Sequence, residues 1–347
     1  MTKIFSISNK PTIIAGPCSA ESELQLQQVA DSIVSDHRIS MLRCGVWKPR
    51  THPGGFEGYG EKALKWISNL QEKYPTLPFC CEVARPEHVE LCQQYHIPAV
   101  WIGARTSVNP FLMGELAEAL RGSGIAVIVK NPITPDVELW TGAIERIMQA
   151  GIDDIAAVHR GFTTYNNIGY RNNPLWQIPI ELKRRMPELP LFCDPSHIGG
   201  QRGLIAPVSQ MALDLHFDGL MIECHPNPSE ALTDSQQQIT PSELTSILDN
   251  LKIRSHENYT PSDLLPLRQE LDMIDSQLLE LLSRRMKISA SIGAIKREHN
   301  MPFFQPERWQ QVLDKQIANG RNLGLDEQFV KELSEKIHGE SLRQQEQ

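Results

Sequence analysis

The stretch Pro190-Leu-Phe-Cys-Asp-Pro-Ser-His-Ile-Gly-Gly-Gln-Arg202 joins a short apolar run directly to an acid, a histidine and a glycine-rich turn. The apolar part, Pro190–Cys193, is typical of a strand buried in a parallel sheet. Asp194 and His197 follow it, which places ionisable groups at the edge of a hydrophobic core. If other strands of the chain end in the same way, their polar side chains would meet at one edge of a sheet.

The same pattern recurs along the chain, and amphipathic stretches with helical spacing separate the apolar runs. The strand-like runs are Thr12–Ala15, Ser40–Cys44, Pro78–Val83, Ala99–Gly103, Ala126–Val129, Ile155–Val158, Pro190–Cys193 and Gly219–Ile222. Eight alternations over about 250 residues are what a closed (β/α)8 barrel requires. An open doubly wound sheet shares the alternation, but eight units at this length favour closure. The sequence thus predicts an α/β fold with a TIM barrel over residues 1–252.

Length and composition exclude several classes of protein. At 347 residues the chain exceeds one usual core, which indicates a large domain plus a small one. A net charge of −8 argues against a general nucleic-acid binder. No apolar run approaches the ~20 residues of a membrane span, and the N-terminus lacks the apolar core of a signal peptide. Because several of the seven cysteines stand in apolar runs, we expect a cytoplasmic protein without a disulfide framework.

The side chains that follow the strand-like runs fall into two chemical sets. A cationic set would repel itself unless anions occupied the site, and it comprises Arg43, Lys48, Arg50, Arg105, Lys130 and Arg160. A second set offers thiolate, imidazole and carboxylate ligands for one divalent cation, and it comprises Cys18, His197, Glu223 and Asp234. Singly, each residue is better explained as a solvated loop charge, and Cys18 as a structural residue. Their repetition at the strand ends indicates a site for a phosphorylated substrate beside a metal.

Five motifs resemble those of 3-deoxy-D-arabino-heptulosonate 7-phosphate (DAHP) synthases of the type I-beta group. They are Ala15-Gly-Pro-Cys-Ser-Ala-Glu21, Arg43-Cys-Gly-Val-Trp-Lys-Pro-Arg-Thr51, Trp101-Ile-Gly-Ala-Arg105, Asp194-Pro-Ser-His197 and Ile222-Glu-Cys-His-Pro226. The resemblance covers roughly residues 3–252. It implies a metal-dependent barrel that condenses phosphoenolpyruvate with erythrose 4-phosphate in the shikimate pathway.

The resemblance also assigns roles to individual residues. It implies Cys18, His197, Glu223 and Asp234 as ligands of one divalent metal, with Mn, Co, Fe and Zn all compatible with this set. Phosphoenolpyruvate would bind to Arg105, Lys130 and Arg160, with Arg43 and Glu82 nearby. The aldose phosphate would meet Lys48, Arg50 and Thr51, and Lys48 would act as the general acid. Asp194 would orient a ligand or water, or contact the aldose phosphate.

Beyond a polar, aperiodic linker at 253–261, the pattern over residues 262–347 predicts a small all-α domain. Its first helix, about 35 residues and 50 Å long, is too long for a small domain to cover, so we predict pairing with a second copy. The apolar seam comprises Leu264, Leu267, Leu271, Ile274, Leu278, Leu281, Ile288, Ile292 and Ile295. Arg285 occupies one seam position, where a cation is costly unless an anion meets it. We expect further helices near 309–317 and 326–345.

This second domain resembles the all-helical class of chorismate mutase. The matching stretches are Leu267-Arg-Gln-Glu-Leu-Asp272, Leu281-Leu-Ser-Arg-Arg-Met286, Ile292-Gly-Ala-Ile-Lys296, Pro306-Glu-Arg308 and His338-Gly-Glu-Ser-Leu-Arg-Gln-Gln345. By resemblance, the substrate carboxylates would be bound by Arg268 (from across a dimer), Arg285 and Arg308. Lys296 and Gln345 would contact the ether oxygen of chorismate, and Ser341 would line the site. Trp309 and Gln305 depart from the family pattern near the substrate hydroxyl.

Three alternatives stand beside the bifunctional interpretation. The tail could be a non-catalytic sensor and dimerisation module. The barrel could join phosphoenolpyruvate to another sugar, such as arabinose 5-phosphate, although Lys48-Pro-Arg-Thr51 argues against this. A pure scaffold protein would leave the strand-end residues unexplained. The fusion of two domains also suggests feedback, in which chorismate or prephenate bound to the tail inhibits the barrel.

Overall fold

The computed structural model describes residues 3–8, 10–49, 54–165, 169–254 and 261–346. The chain divides into two compact units, Met1–Arg254 and Ser255–Gln347. The predicted linker falls mostly on residues 255–260, which lie outside the described residues.

The first unit is a closed barrel of parallel strands paired in chain order, with β1 completing the ring against β8. The strands are β1 Thr12–Gly16, β2 Ile39–Arg43, β3 Phe79–Val83, β4 Ala99–Ile102, β5 Ala126–Lys130, β6 Ile155–His159, β7 Leu191–Cys193 and β8 Gly219–Glu223. The predicted (β/α)8 fold is confirmed, and every strand-like run in the sequence became a strand.

Helices follow the strands in the predicted order. They are α1 Glu23–Ile33, α2 Glu61–Lys73, α3 Pro86–Gln94, α4 Pro110–Leu120, α5 Val137–Gln149, α6 Gln177–Arg185, α7 Pro195–Gly199, α8 Ile205–Asp214 and α9 Pro241–Asn250. Several of them start at side-chain caps, such as Ser22 accepting from the Gln25 amide and Asp136 accepting from the Leu139 amide. The sequence did not predict α7, a single turn that Asp194 caps by accepting from the His197 amide.

The strands are apolar on both faces because they separate two cores. An outer core lies between strands and helices, and an inner core fills the barrel. In β6, Ala156 and Val158 belong to the inner core. His159 therefore lies on the outer side, where its ring neighbours the rings of Trp140, Phe162, Trp176 and Phe217. The next residue, Arg160, lines the cavity instead, because side chains alternate along a strand. Burial lowers the pKa of His159 to about 3, so its ring is neutral.

The N-terminal segment contributes Phe5 to the inner core. Phe5 is 2% exposed and packs edge-on against Phe192 of β7, with ring centroids 5.8 Å apart. The Asp154 carboxylate holds this segment by accepting from the amides of Ile4 and Phe5, at 2.6 and 2.9 Å. Phe5 thus fills part of the barrel interior from a segment that precedes the first strand.

The second unit consists, within its described residues, of three helices: α10 Pro261–Glu298, α11 Pro306–Asn322 and α12 Glu327–Glu346. The predicted long helix and the two that follow it are confirmed. The apolar seam of α10 is exposed along its length, for example 58% at Leu271 and 62% at Leu281. No helix in the described part of the chain is long and apolar enough to cross a membrane.

We predict that Phe5→Ala lowers the free energy of unfolding of the barrel by about 3 kcal/mol, because it removes a buried ring and leaves a cavity. Urea unfolding of the full-length protein followed by tryptophan fluorescence measures this change, since only Trp309 lies outside the barrel unit. Ile4→Ala is the matched control, because Ile4 is 38% exposed. Equal losses for the two variants would contradict the role of Phe5.

Candidate active sites

A cavity of about 580 Å³ opens among the loops that follow the barrel strands. Its cationic lining residues are Arg43, Lys48, Arg105, Lys130, Arg160 and Arg171. Glu82, His197 and Asp234 also line it. The structure thus brings together most of the residues that the sequence assigned to this site. Arg50 and Thr51 lie outside the described residues.

The floor of this cavity is a buried network of charges centred on Arg43 at the end of β2. Arg43 donates to Glu223 Oε1 at 3.0 Å and lies 3.7 Å from Asp194 Oδ2. Lys130 donates to Asp194 Oδ2 at 2.8 Å. Burial opposes the charge of Arg43, but Glu223 and Asp194 outweigh it and raise the pKa of Arg43 above its usual value. Asp194, predicted to orient a ligand or contact substrate, is fully buried among these groups.

Two of the lining cations share one aromatic ring. The guanidinium of Arg43 lies 4.9 Å and the ammonium of Lys130 5.6 Å from the ring centroid of Trp101. Cation–π attraction to the indole offsets part of their mutual repulsion.

Arg160 is a buried cation of this cavity with other arginines nearby. Burial lowers the pKa of Arg160 to about 10, and Arg171 and Arg105 add to this effect against the opposing charge of Asp194. Lys130 also has a lowered pKa, chiefly because it is buried. Arg160 therefore remains charged near neutral pH, and a bound anion would relieve its repulsion by the neighbouring arginines. This part of the cavity is therefore suited to phosphate or carboxylate groups.

Lys48 lies on the opposite part of the cavity, above Gly45. A Cβ at Gly45 would lie 2.4 Å from Cys18 O, 3.0 Å from Lys48 Cε and 3.1 Å from Lys48 Nζ. Glycine is needed there because the Cys18 carbonyl leaves no room for a side chain, and the end of the Lys48 side chain lies close by. Burial lowers the pKa of Lys48, but Cys18, Glu82 and Glu223 outweigh burial and raise it. Lys48 therefore holds its proton near neutral pH.

Cys18, Glu223 and Asp234 form a group of potential cation ligands. One ligand atom from each lies within 4.8 Å of the others, and Cys18 Sγ is 3.3 Å from Asp234 Oδ2. His197 lies beside this group, with Nε2 3.8 Å from Glu223 Oε1 and Nδ1 2.8 Å from Asp194 Oδ2. Burial lowers the pKa of His197, which favours the neutral, ligating form.

This donor set fits a divalent transition metal. Burial and then Glu223 raise the pKa of the Cys18 thiol to about 12, so bound metal would supply the charge that favours the thiolate. The contact between Asp194 and His197 Nδ1 matches the carboxylate that commonly orients a metal-bound histidine.

In the helical unit, a second polar group joins α10 to α12. Arg285 Nη1 donates to Ser341 Oγ, and Lys296 Nζ donates to Gln345 Oε1 at 3.0 Å. Ser341 and Gln345 are buried, and burial lowers the pKa of Arg285. A Cβ at Gly293 would lie 2.5 Å from Gln345 O, so the two helices approach most closely beside this group.

Arg268 and Arg308 lie apart from this group along the chain and are exposed. Arg268 precedes Arg285 by about 25 Å along α10, at 1.5 Å per residue. An arginine side chain cannot span that distance, so the two residues cannot hold one small molecule within a single chain. Trp309, which departs from the resembled pattern, stacks on His338 with ring centroids 4.0 Å apart.

The DAHP synthetase I family model matches residues 3–257. The chain belongs to the DAHP synthetase I family. The chorismate mutase type II model matches residues 267–346. The two matches divide the chain at the same place as the two compact units of the structure.

Two curated relatives and one solved structure show how far the similarity extends. The phospho-2-dehydro-3-deoxyheptonate aldolase of Thermotoga maritima is 31% identical over 228 residues, which cover 66% of this chain and 65% of the relative. The crystal structure of DAHP synthase from the same organism has a TM-score of 0.62 at 28% identity, covering 70% of this chain and 68% of that one. The 2-dehydro-3-deoxyphosphooctonate aldolase of Desulfotalea psychrophila is 27% identical, covering 70% of this chain and 89% of the relative.

The sequence did not single out several residues that complete the site of this DAHP synthetase I barrel. Arg171 lines the cavity and donates to Asp234 Oδ1 at 3.0 Å. Gln237 donates to Glu223 Oε2 at 2.7 Å, and Gln238 accepts from the Cys18 amide at 2.9 Å. The polar run that follows Asp234 was the one available signal, since Ser235, Gln236, Gln237 and Gln238 stand together there.

We predict that Arg43→Met lowers the free energy of unfolding by about 3–5 kcal/mol, because it leaves Glu223 and Asp194 buried with less compensating charge. Chemical denaturation at neutral pH measures the effect. Arg38→Met is the matched control, since Arg38 pairs with Asp36 and Asp249 at the surface and should cost about 1 kcal/mol or less. A loss for Arg43→Met no larger than for the control would show that the buried network is not required for folding.

Proposed function

We propose that the protein is a bifunctional enzyme of aromatic amino acid biosynthesis. The barrel would condense phosphoenolpyruvate with erythrose 4-phosphate, and the helical unit would rearrange chorismate to prephenate. The observation that carries the first activity is the cationic cavity set beside the Cys18–Glu223–Asp234 group, in a chain of the DAHP synthetase I family.

Phosphoenolpyruvate has a phosphate and a carboxylate that match the cationic lining of the cavity. Arg105, Lys130 and Arg160 would bind these anionic groups, and Arg171 adds another cation to the cavity lining. Asp194 fixes the Lys130 ammonium through the 2.8 Å contact, so Lys130 is oriented before substrate arrives. Preorganised cations of this kind stabilise developing negative charge without reorganisation during the reaction.

The aldose phosphate would lie toward Lys48, with its phosphate near the Lys48-Pro-Arg-Thr51 motif. A divalent metal bound by Cys18, His197, Glu223 and Asp234 would supply Lewis acidity for polarising the aldehyde. Lys48 would lie on the other side of the aldehyde oxygen as its proton donor. The supporting observation is the raised pKa of Lys48, which keeps the proton available near neutral pH.

The reaction then follows from these positions. The methylene carbon of phosphoenolpyruvate forms a bond to the aldehyde carbon, and the aldehyde oxygen takes a proton from Lys48. Water adds to the former enol carbon and supplies the proton that restores Lys48. The resulting hemiketal phosphate loses inorganic phosphate to give DAHP.

We predict that the purified protein consumes phosphoenolpyruvate with erythrose 4-phosphate at least ten times faster than with arabinose 5-phosphate. Release of inorganic phosphate measures both reactions.

Lys48→Ala should lower kcat by about 100-fold or more, the usual contribution of a general acid. EDTA with dialysis should abolish the condensation but leave conversion of chorismate unchanged. A preference for arabinose 5-phosphate would instead support the activity named for the Desulfotalea psychrophila relative, and activity that survives metal removal would exclude an essential cation.

The helical unit would act without a nucleophile, because the rearrangement of chorismate is intramolecular. Arg285 would bind a carboxylate, while Lys296 and Gln345 would place donors where the ether oxygen gains negative charge. The supporting observation is that α10 and α12 bring Arg285, Lys296, Ser341 and Gln345 together at a polar group. Arg308 and Ser341 would complete the contacts to substrate.

We further propose that the protein forms a homodimer or higher oligomer through α10. Its apolar seam is exposed within one chain, and a partner would bury it. Because Arg268 lies about 25 Å from Arg285, Arg268 would serve the site of the partner. A cytoplasmic location is supported by the seven cysteines, all of which are buried and free.

We predict that Arg285→Ala lowers the mutase kcat/KM by at least 100-fold, while condensation by the barrel persists, because Arg285 belongs to the helical unit. If prephenate bound there inhibits the barrel, the same variant should lose that inhibition. Both activities are measured on the full-length protein with and without prephenate. A wild-type protein that converts no chorismate but is inhibited by prephenate would show that the tail is a sensor alone.

A further inference from the structure

The indole of Trp47 and the imidazole of His88 stack face to face, with ring centroids 3.9 Å apart and planes 3° from parallel. Trp47 immediately precedes Lys48 in the loop between β2 and α2, whereas His88 lies in the first turn of α3. The stack therefore joins two neighbouring strand–helix units where the loop that carries Lys48 begins. The proposed reaction gives neither ring a role.

His88 is fixed on its own side of the stack. Its Nδ1 accepts a hydrogen bond from the Ala84 amide at 3.2 Å, directly after β3. Because Nδ1 is an acceptor, the ring is neutral and carries its hydrogen on Nε2. Burial, followed by the charge of Arg85, lowers the pKa of His88 to about 4, with Glu87 opposing. The neutral ring is thus the stable form throughout the neutral pH range.

Trp47 is fixed on the other side by the backbone of its own loop. The Lys48 amide donates to Glu57 O at 2.8 Å, and the Gly60 amide donates to Val46 O at 2.9 Å. Gly60 lies so close to the indole that a Cβ there would be 3.2 Å from Trp47 Nε1. These contacts set the position of the Lys48 backbone, and the end of the Lys48 side chain lies close to Gly45.

We propose that His88 is a positioning residue that holds Lys48 over the cavity by stacking on Trp47. The proposal rests on the catalytic role of Lys48 argued above. The loop between β2 and α2 contacts the His88 ring through Trp47, the residue next to Lys48. The Ala84 amide, directly after β3, holds that ring in place. A displacement of about 1 Å at a reacting group can cost about 100-fold in rate. The stack would therefore affect turnover without touching either substrate.

Three variants separate the stack from the hydrogen bond. His88→Phe keeps a flat ring but loses the acceptor for the Ala84 amide, whereas His88→Asn keeps an acceptor and loses the ring. His88→Ala loses both.

We expect kcat for the condensation to fall at least tenfold in His88→Asn and His88→Ala, and to stay within threefold of wild type in His88→Phe. KM for phosphoenolpyruvate should stay within twofold in all three, because Arg105, Lys130 and Arg160 lie on other strand ends. His37→Ala, at an exposed histidine, is the control.

Amide hydrogen exchange on the full-length protein tests the positioning without reference to activity. The amides of Lys48 and Gly60 should exchange at least tenfold faster in His88→Asn and His88→Ala than in wild type. The amides of β5 should not change, which separates loosening of this loop from general unfolding. If wild type showed no condensation at all, the proposed function would fail, but the exchange comparison would still decide whether the stack holds the loop.

Two results would overturn the proposal. One is exchange at Lys48 and Gly60 that stays at the wild-type rate when the ring is removed. The other is an equal loss of kcat in His88→Phe and His88→Ala, which would assign the effect to the hydrogen bond with Ala84. Should His88→Ala fail to fold, the comparison of His88→Asn with His88→Phe still distinguishes these outcomes.

Discussion

The barrel mouth depends on the pairing of Arg43 with Glu223 and Asp194 in a region from which water is excluded. A guanidinium and carboxylates buried in this way are costly unless each meets its partner. The residues come from the ends of β2, β8 and β7, so these strands must end at a common level for the charges to pair. Closure of the barrel and formation of the network are therefore mutually dependent. The same network holds Lys130 and lies directly beneath the cavity.

Positive charge is compensated to different extents at the floor of the cavity, around Arg43, and near Arg160. At the floor, carboxylates compensate Arg43 and Lys130, and these side chains are held in place. Arg160 remains charged, although burial and the nearby Arg171 and Arg105 all lower its pKa. A protein with a net charge of −8 thus contains a local site of strongly positive potential. Such a site favours a multiply charged small anion without attracting nucleic acid in general.

The sequence predicted the barrel because each strand is a continuous apolar run, and it predicted the cavity residues because they follow these runs directly. Prediction failed where a contact depends on how distant loops fold. Arg171 and Gln237 reach the site from irregular segments whose path no periodicity encodes. The contact of His88 with Trp47 joins the first turn of α3 to a loop through the stacking of two rings.

Each unit brings cationic side chains together at one site, and the two units hold these side chains in different ways. In the barrel, the cations of the cavity and the carboxylates beneath them belong to one chain, and the fold itself sets their positions. In the helical unit, Arg285 and Lys296 are held by contacts with α12, whereas the seam of α10 is exposed and Arg268 lies about 25 Å from Arg285 along that helix. Burying the seam against a second copy would remove exposed apolar surface. It would also allow Arg268 to serve the site of the other copy. Stability and completion of the second site would then require the same association.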